Sequence, residues 1–246
     1  MVPKIIHQCH TDGWLDLCDE ELEAISINKA RNPYWEHRFY SIEEMRVFVG
    51  KHYGKRIVNA FNSINPSYGA AIADYFRYLV MYQIGGVYLD VKSIALKPLD
   101  EIILHDDYFV VFCWQNNPRG LYEHYGKHDF IKSGFEYQQW NIVSGKKNGF
   151  LWDVILLVTE NIEKYSHTRD GVGWLGVLKT TGPIPYTNAI LDSKSDSKFR
   201  FAGNNEANGF LYRNDEKYKK RDLISHYSSN SQPIILPSTS PLKKNV

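Results

Sequence analysis

One stretch of this chain leaves few options for folding. From Pro66 to Leu89, 24 consecutive residues hold two charges, Asp74 and Arg77. Around them stand Ala70, Ala71, Ala73, Tyr75, Phe76, Tyr78, Leu79 and Val80, apolar nearly all the way round a helical wheel. Such a helix is buried rather than amphipathic. Pro66 suits a first turn and Gly85-Gly86 a stop, so the pattern predicts a helix from Pro66 to about Gln83. Its two charges fall three residues apart, on one face and one turn from each other. Burying charge is costly unless it is paired or hydrogen-bonded. Two readings follow. The pair is a structural ion bridge, or it is a fork whose carboxylate and guanidinium grip the vicinal hydroxyls of a sugar.

The next residues, Gly85-Gly86-Val87-Tyr88-Leu89-Asp90-Val91-Lys92, read as a tight turn, a short buried strand and charge at the strand's end. Ligands of α/β sheets bind outside the carboxyl ends of strands. Strand side chains alternate, so Asp90 and Lys92 are expected on one side with Val91 opposite. A carboxylate and an ammonium there would serve a ribose and a diphosphate.

Elsewhere, strands are predicted at Lys4 to Gln8, Trp35 to Tyr40, Ser93 to Lys97, Tyr108 to Trp114 and Gln138 to Ser144. Helices are predicted at Leu15 to Ala30, Arg56 to Ile64, Phe150 to Tyr165 and Gly173 to Lys179. Another opens on the capping box Ser41-Ile42-Glu43-Glu44 and runs to about His52, and Gly182-Pro183 reads as a breaker. Asn116 to Gly134 reads as an irregular functional loop. Strands alternating with helices imply an α/β domain with a mostly parallel central sheet. We expect one domain over 1–246, with an extended tail from about residue 227.

Composition narrows the function. The net charge of +1 gives no basic footprint for a nucleic acid. No run of about 18 apolar residues predicts a membrane span. Three widely spaced cysteines, Cys9, Cys18 and Cys113, form no disulfide framework, so the expected location is cytoplasmic (the host cytoplasm for a virus-encoded chain).

The runs Ala71-Ile72-Ala73-Asp74-Tyr75-Phe76-Arg77 and Tyr82-Gln83-Ile84-Gly85-Gly86-Val87-Tyr88-Leu89-Asp90 resemble the signature of glycosyltransferase family 32. Those DXD-containing sugar-binding enzymes include initiating α-1,6-mannosyltransferases and capsule-type enzymes, and share a fold with large clostridial glucosylating toxins. Pro3-Lys4-Ile5-Ile6-His7-Gln8 is similar to the family's first strand, with weaker matches at Asn32-Pro33-Tyr34, Trp140-Asn141-Ile142, Thr181-Gly182-Pro183 and His226. The resemblance implies a GT-A fold and retaining transfer of a hexose from a UDP- or GDP-sugar to a glycan or other hydroxyl acceptor. By the family pattern, Asp74 and Arg77 would hold donor hydroxyls and Asp90 the ribose and sugar. Asn141 would approach the reacting centre, and Cys9-His10 would border the base. His7, Gln8, Tyr88 and Lys92 complete the expected donor site.

Lys92 stands where the family has its second acid, a ligand of Mn²⁺ or Mg²⁺. Either the ammonium itself neutralises the diphosphate, or Lys92 faces solvent and Asp90 recruits the metal with help from His226. His10 also departs from the usual Trp, leaving base selectivity open. A non-catalytic sugar-nucleotide or glycan-binding module is the first alternative function. A glycoside hydrolase using carboxylates among Asp106, Asp107, Asp129 and Glu136 is the second. The His7-Gln8-Cys9-His10 run with Cys18 lacks zinc-site spacing. The GxGxxG string Gly171 to Gly176 follows no strand and reads as a turn. Trp140 is the tryptophan best placed to be a sugar platform.

Overall fold

The computed structural model describes residues 1–114, 122–213 and 229–237. The first half runs β1 (Ile5–Cys9), α1 (Asp19–Arg31), β2 (Glu36–Tyr40), α2 (Ile42–His52), α3 (Lys55–Ser63), α4 (Gly69–Ile84), β3 (Gly86–Leu89) and β4 (Ser93–Ala95). It continues with α5 (Leu99–Ile102), β5 (Phe109–Cys113), β6 (Asn141–Ser144), α6 (Gly149–Glu163) and α7 (His167–Asp170). Then come α8 (Gly173–Thr180), α9 (Pro183–Asp192), β7 (Arg200–Asn204) and β8 (Phe210–Tyr212).

Six strands form the central sheet in the order β2-β1-β3-β6-β5-β7. β1 runs parallel to both β2 and β3, and β5 parallel to β7, while β6 is antiparallel to its neighbours β3 and β5. The sheet is therefore mostly parallel, as the alternation of elements implied, with one reversed strand at its centre. β4 and β8 pair separately as a small antiparallel ribbon.

Period-two alternation sorts the strand side chains into two cores. Tyr88, Phe109, Val111 and Ile142 face helices α2, α3, α4, α6, α8 and α9. Ile6, Val87, Leu89, Val110, Phe112 and Val143 face α5 and Phe210 of the small ribbon on the other side. Asn28 of α1, fully buried, donates to the Ser93 carbonyl and accepts from the Ala95 amide, tying the ribbon to the body.

The apolar stretch is α4, buried along most of its length as its composition required. It starts at Gly69 rather than Pro66. The Asn65 side chain accepts from the Ser67 amide and the Asn65 carbonyl from the Tyr68 amide, so Pro66 lies in a turn before the helix. A Cβ on Gly69 would come within 2.6 Å of Thr11 Oγ1, which is how closely the helix start approaches the loop after β1. Residues 229–237 cross this region. Tyr68 donates to the Asn230 and Gln232 carbonyls, and Ile234 is fully buried.

Gly182-Pro183 does more than end α8. Pro183 occupies the first turn of α9, where its missing N–H costs nothing, and so opens a helix that the breaker reading passed over. β7 and β8 were also unforeseen, since Arg200–Asn204 carries no clear alternation and Phe210–Tyr212 is only three residues long.

Candidate active site

The Gly85-Gly86 turn sets the end of β3 in place. Both residues have positive φ, 74° and 114°, and a Cβ on Gly86 would lie 2.4 Å from the Ile5 carbonyl oxygen. Glycine at 86 thus lets β3 lie against β1. The strand stops at Leu89. Asp90 donates its amide to the Trp140 carbonyl, and the Ser93 amide then returns to the Asp90 carbonyl at 2.8 Å. Residues 90–93 are a turn, not a continued strand, yet Asp90 and Lys92 both line one cleft while Val91 packs in a small apolar cluster with Leu17 and Ile25.

Arg77 is the hub of that cleft's inner wall. One guanidinium nitrogen, Nη2, sits 3.2 Å from Asp74 Oδ1 and 3.1 Å from Asp90 Oδ1. Nε donates to the Ala73 carbonyl and Nη1 to the Gln139 carbonyl, while the cation lies 4.8 Å from the centre of the Tyr88 ring. Asp74 accepts from Gln139 Nε2 at 2.9 Å and from Thr181 Oγ1 at 3.1 Å. Tyr88 donates its hydroxyl to Asp90 Oδ1 at 3.0 Å. The side chains of Asp74 and Arg77 are 6% and 5% exposed, that of Asp90 23%. Two carboxylates and one guanidinium are therefore held in a nearly dry network that opens to solvent at Asp90.

The electrostatics follow from that burial. Desolvation raises the Asp74 carboxyl above its usual range, opposed by Arg77 and by the hydrogen bonds from Gln139 and Thr181. For Arg77 burial works against the cation, but Asp90, Tyr88 and Asp74 overcome it and push its pKa well above the ordinary value. Burial likewise pushes the Cys9 thiol up to about 12, with a smaller opposing effect of the Tyr88 hydroxyl 3.4 Å away. A thiol so raised is no nucleophile at neutral pH.

The cleft encloses about 890 Å³, within the range of small-molecule sites. The loop after β1, the start of α4 and the 90–93 turn form one side. Lys92 places its ammonium 4.5 Å from the Tyr212 ring centre. His10 lines the same side, with Nδ1 buried and without a partner among the described residues.

Of the residues named from sequence, Asp74, Arg77, Asp90, Tyr88, Cys9, His10 and Lys92 line this cleft together. His7, Gln8 and Asn141 do not, and their expected contact with the donor is corrected here. His7 sits mid-strand, fully buried, hydrogen-bonded to the Gly85 carbonyl and the Tyr40 hydroxyl. Burial lowers its pKa to about 4, partly countered by the Gly85 carbonyl, so it is a neutral brace beneath the glycine turn. Gln8 bridges the Asp90 carbonyl and His37. Asn141 pairs with Leu89, so its side chain shares that residue's face of the sheet, away from Tyr88. There it donates to Gln138, 1% exposed. His226 lies outside the described residues.

Gln139 and Thr181, the two neutral partners of Asp74, were not singled out as site residues. Gln139 adjoins the Trp140-Asn141-Ile142 match and Thr181 opens the Thr181-Gly182-Pro183 match, yet nothing local marks their side chains as inward. Trp140 lines the cleft, though 4% exposed and with its indole N–H unpartnered among the described residues. Of the hydrolase carboxylates, Asp107 is locked to Arg200 and only Glu136 reaches the cleft. The GxGxxG string joins α7 to the first turn of α8 and follows no strand.

Among the described residues no three His, Cys, Asp or Glu side chains cluster as a metal site. Asp90 already shares its Oδ1 with Arg77 and Tyr88, and a second cation, Lys92, follows in the same turn. Among the described residues, this donor set does not fit a divalent metal.

Residues 13–109 match the family described as glycosyltransferase sugar-binding region containing DXD motif. That span holds the Asp74–Arg77–Asp90 network. The chain is also similar to the initiation-specific α-1,6-mannosyltransferases of Schizosaccharomyces pombe, at 22% identity over 78% of this chain and 48% of that protein, and of Candida albicans, at 25% over 68% and 46%. Inositol phosphoceramide mannosyltransferase 1 of S. pombe is 26% identical over 42% of this chain and 31% of its own. The chain thus spans about half the length or less of these relatives. The solved structure of PaToxG glycosyltransferase has a TM-score of 0.54 at 16% identity, over 77% of this chain and 69% of that one. The fold is of the GT-A type.

Proposed function

We propose that this chain is a retaining glycosyltransferase that moves a hexose from a UDP- or GDP-sugar to a hydroxyl of a glycan or related acceptor. The observation that carries this reading is the Asp74–Arg77–Asp90 network, nearly dry and opening at Asp90 into a cleft at the carboxyl ends of β1 and β3. Asp74 and Arg77 offer paired, directional contacts to sugar hydroxyls, and Asp90 faces the ribose side. Cys9 and His10 border the base, and the unpartnered His10 Nδ1 supplies a hydrogen-bonding group there. The mannosyl relatives make GDP-mannose the first donor to test.

In the reaction the bond from the anomeric carbon to the phosphate oxygen breaks. The bond to the acceptor oxygen forms on the same face, and the acceptor proton passes to the leaving diphosphate. Lys92 lines the opening of the cleft beside Asp90, and its ammonium is the group that would offset the diphosphate charge there. Transfer is then expected to survive EDTA and to fall at least tenfold in Lys92→Ala. Complete loss in EDTA, restored by Mn²⁺, would overturn the lysine assignment. Nucleotide release in the presence of acceptor tests the wider reading. A binding module would show a donor-dependent thermal shift and release nothing, and a hydrolase would cleave a finished glycan without donor. Cys9, Cys18 and Cys113 are free thiols, which supports a reducing compartment such as the cytoplasm. No described helix is long and apolar enough to cross a membrane. A role in polysaccharide synthesis, by one domain spanning the chain, fits this chemistry.

A further inference from the structure

The cleft has a second wall that the donor reading does not use, made by residues 124–128, Glu136 and the start of α8. Its centre is Glu136, a carboxylate 7% exposed. Trp114 donates its indole N–H to Oε1, and His128 Nε2 lies 2.9 Å from Oε2. The loop between them is closed by the Glu136 amide bonding to the Gly126 carbonyl and by a bridge between Lys127 and Phe135. Gly126 has φ 71°, and a Cβ there would fall 2.3 Å from the Trp114 ring, so the loop is seated hard against the indole that fixes Glu136. His128 thus turns Nε2 to the carboxylate and directs Nδ1, on the other side of the ring, away from Glu136.

Beside this histidine stands Trp174, in the first turn of α8, its ring centre 6.3 Å from the imidazole. The other two tryptophans of the cleft, Trp114 and Trp140, are 7% and 4% exposed, whereas Trp174 is 50% exposed. Keeping half a tryptophan in water forgoes burial that its neighbours obtain. An open indole next to an imidazole held in one orientation suits a molecule with an apolar ring face and a hydroxyl rim, which describes a sugar.

We infer that this wall is the acceptor subsite: a pyranoside lies against Trp174 and makes a hydrogen bond through one hydroxyl with His128 Nδ1, with Glu136 as the residue that positions the imidazole. The assignment rests on the transferase reading, and it names the acceptor class as a neutral glycoside. No proton transfer to His128 is part of it. The subsite places acceptor and donor in one enclosed cleft, as direct transfer between them requires.

The test uses the full chain and the variants His128→Ala, Glu136→Gln and Trp174→Ala, with methyl α-mannoside, α-glucoside and α-galactoside as probes. Saturation-transfer NMR reads glycoside binding. Calorimetry with GDP-mannose and UDP-glucose reads donor binding, and nucleotide release without acceptor reads donor hydrolysis. We expect at least one glycoside to bind the native protein. Its KM as acceptor, or its Kd where no transfer occurs, should rise by about tenfold or more in His128→Ala and Trp174→Ala. Glu136→Gln should show a smaller rise, while donor Kd and hydrolysis stay within about twofold. Trp174→Ala removes a half-exposed side chain, so it keeps the test valid if His128→Ala misfolds. The subsite is overturned if no glycoside binds, if Trp174→Ala binds it as the native protein does, or if Trp174→Ala weakens the donor instead. A native protein that neither binds nor hydrolyses a nucleotide sugar sinks the transferase reading and the subsite together. Donor turnover with an unmoved glycoside affinity sinks the subsite alone.

Discussion

The two walls of the cleft are built on different physics. The α4–β3 wall is ionic, with Arg77 between Asp74 and Asp90 and the pair on α4 about 5% exposed. The α8 wall is aromatic, with Trp174 half exposed beside a single imidazole–carboxylate pair. In the first wall every charge depends on its neighbours, because little water is present to replace a lost partner. In the second, the open ring depends on little and can be removed cheaply. A buried ionic wall is thus both more rigid and more fragile to substitution than an open aromatic one.

The sharpest way to break this contrast is Arg77→Ala. It strands two carboxylates in a dry pocket, and removing one partner of a buried ion pair typically costs about 3–5 kcal/mol. Urea unfolding should show a loss of that order, and donor binding should vanish. A well-folded, active variant would show that the network neither holds the wall nor meets the donor.

Acid attacks the same wall through its brace. His7 is neutral in the folded state with its pKa lowered from 6.5 to about 4, chiefly by burial. Between those values the unfolded chain takes up a proton that the folded one refuses. The stability from His7 is therefore whole above about pH 6.5 and is lost as pH falls toward 4, by roughly 3 kcal/mol in total. His37, also lowered to about 4 by burial, acts in the same direction. Unfolding midpoints measured from pH 7 to 4 should fall, and His7→Gln should flatten the slope.

Thr181→Val is milder. It deletes one hydrogen bond to Asp74 while keeping the shape and the Gln139 contact, and should cost about 1 kcal/mol in stability. The smallest change is expected on the other wall. Trp174→Ala should leave stability within roughly 0.5 kcal/mol, since surface substitutions rarely exceed that. A larger loss would mean that the indole holds α8 in place, and the contrast between the walls would disappear.

By itself the sequence determined that a buried helix lies between Pro66 and the Gly85-Gly86 stop, because apolarity around a full wheel has one stable outcome in water. It also determined that Asp74 and Arg77 share a face, that a glycine turn leads into a buried strand, and that Asp90 ends it. These follow from helical and strand periodicity and from the φ values only glycine accepts freely. Tertiary structure alone decided the rest of the site. Thr181 reaches Asp74 from 107 residues away and Gln139 from 65, distances over which no local pattern carries information. It decided that His7, Gln8 and Asn141 stand behind the cleft, because a side chain's access depends on what the neighbouring strand and turn cover. It also turned 90–93 off the strand: the Asp90 amide makes a last hydrogen bond to the Trp140 carbonyl, 50 residues later in the chain, and the Ser93 amide then folds back on the Asp90 carbonyl. Short-range geometry fixed which groups the chain carries, and long-range hydrogen bonding and burial fixed which of them face the open cleft.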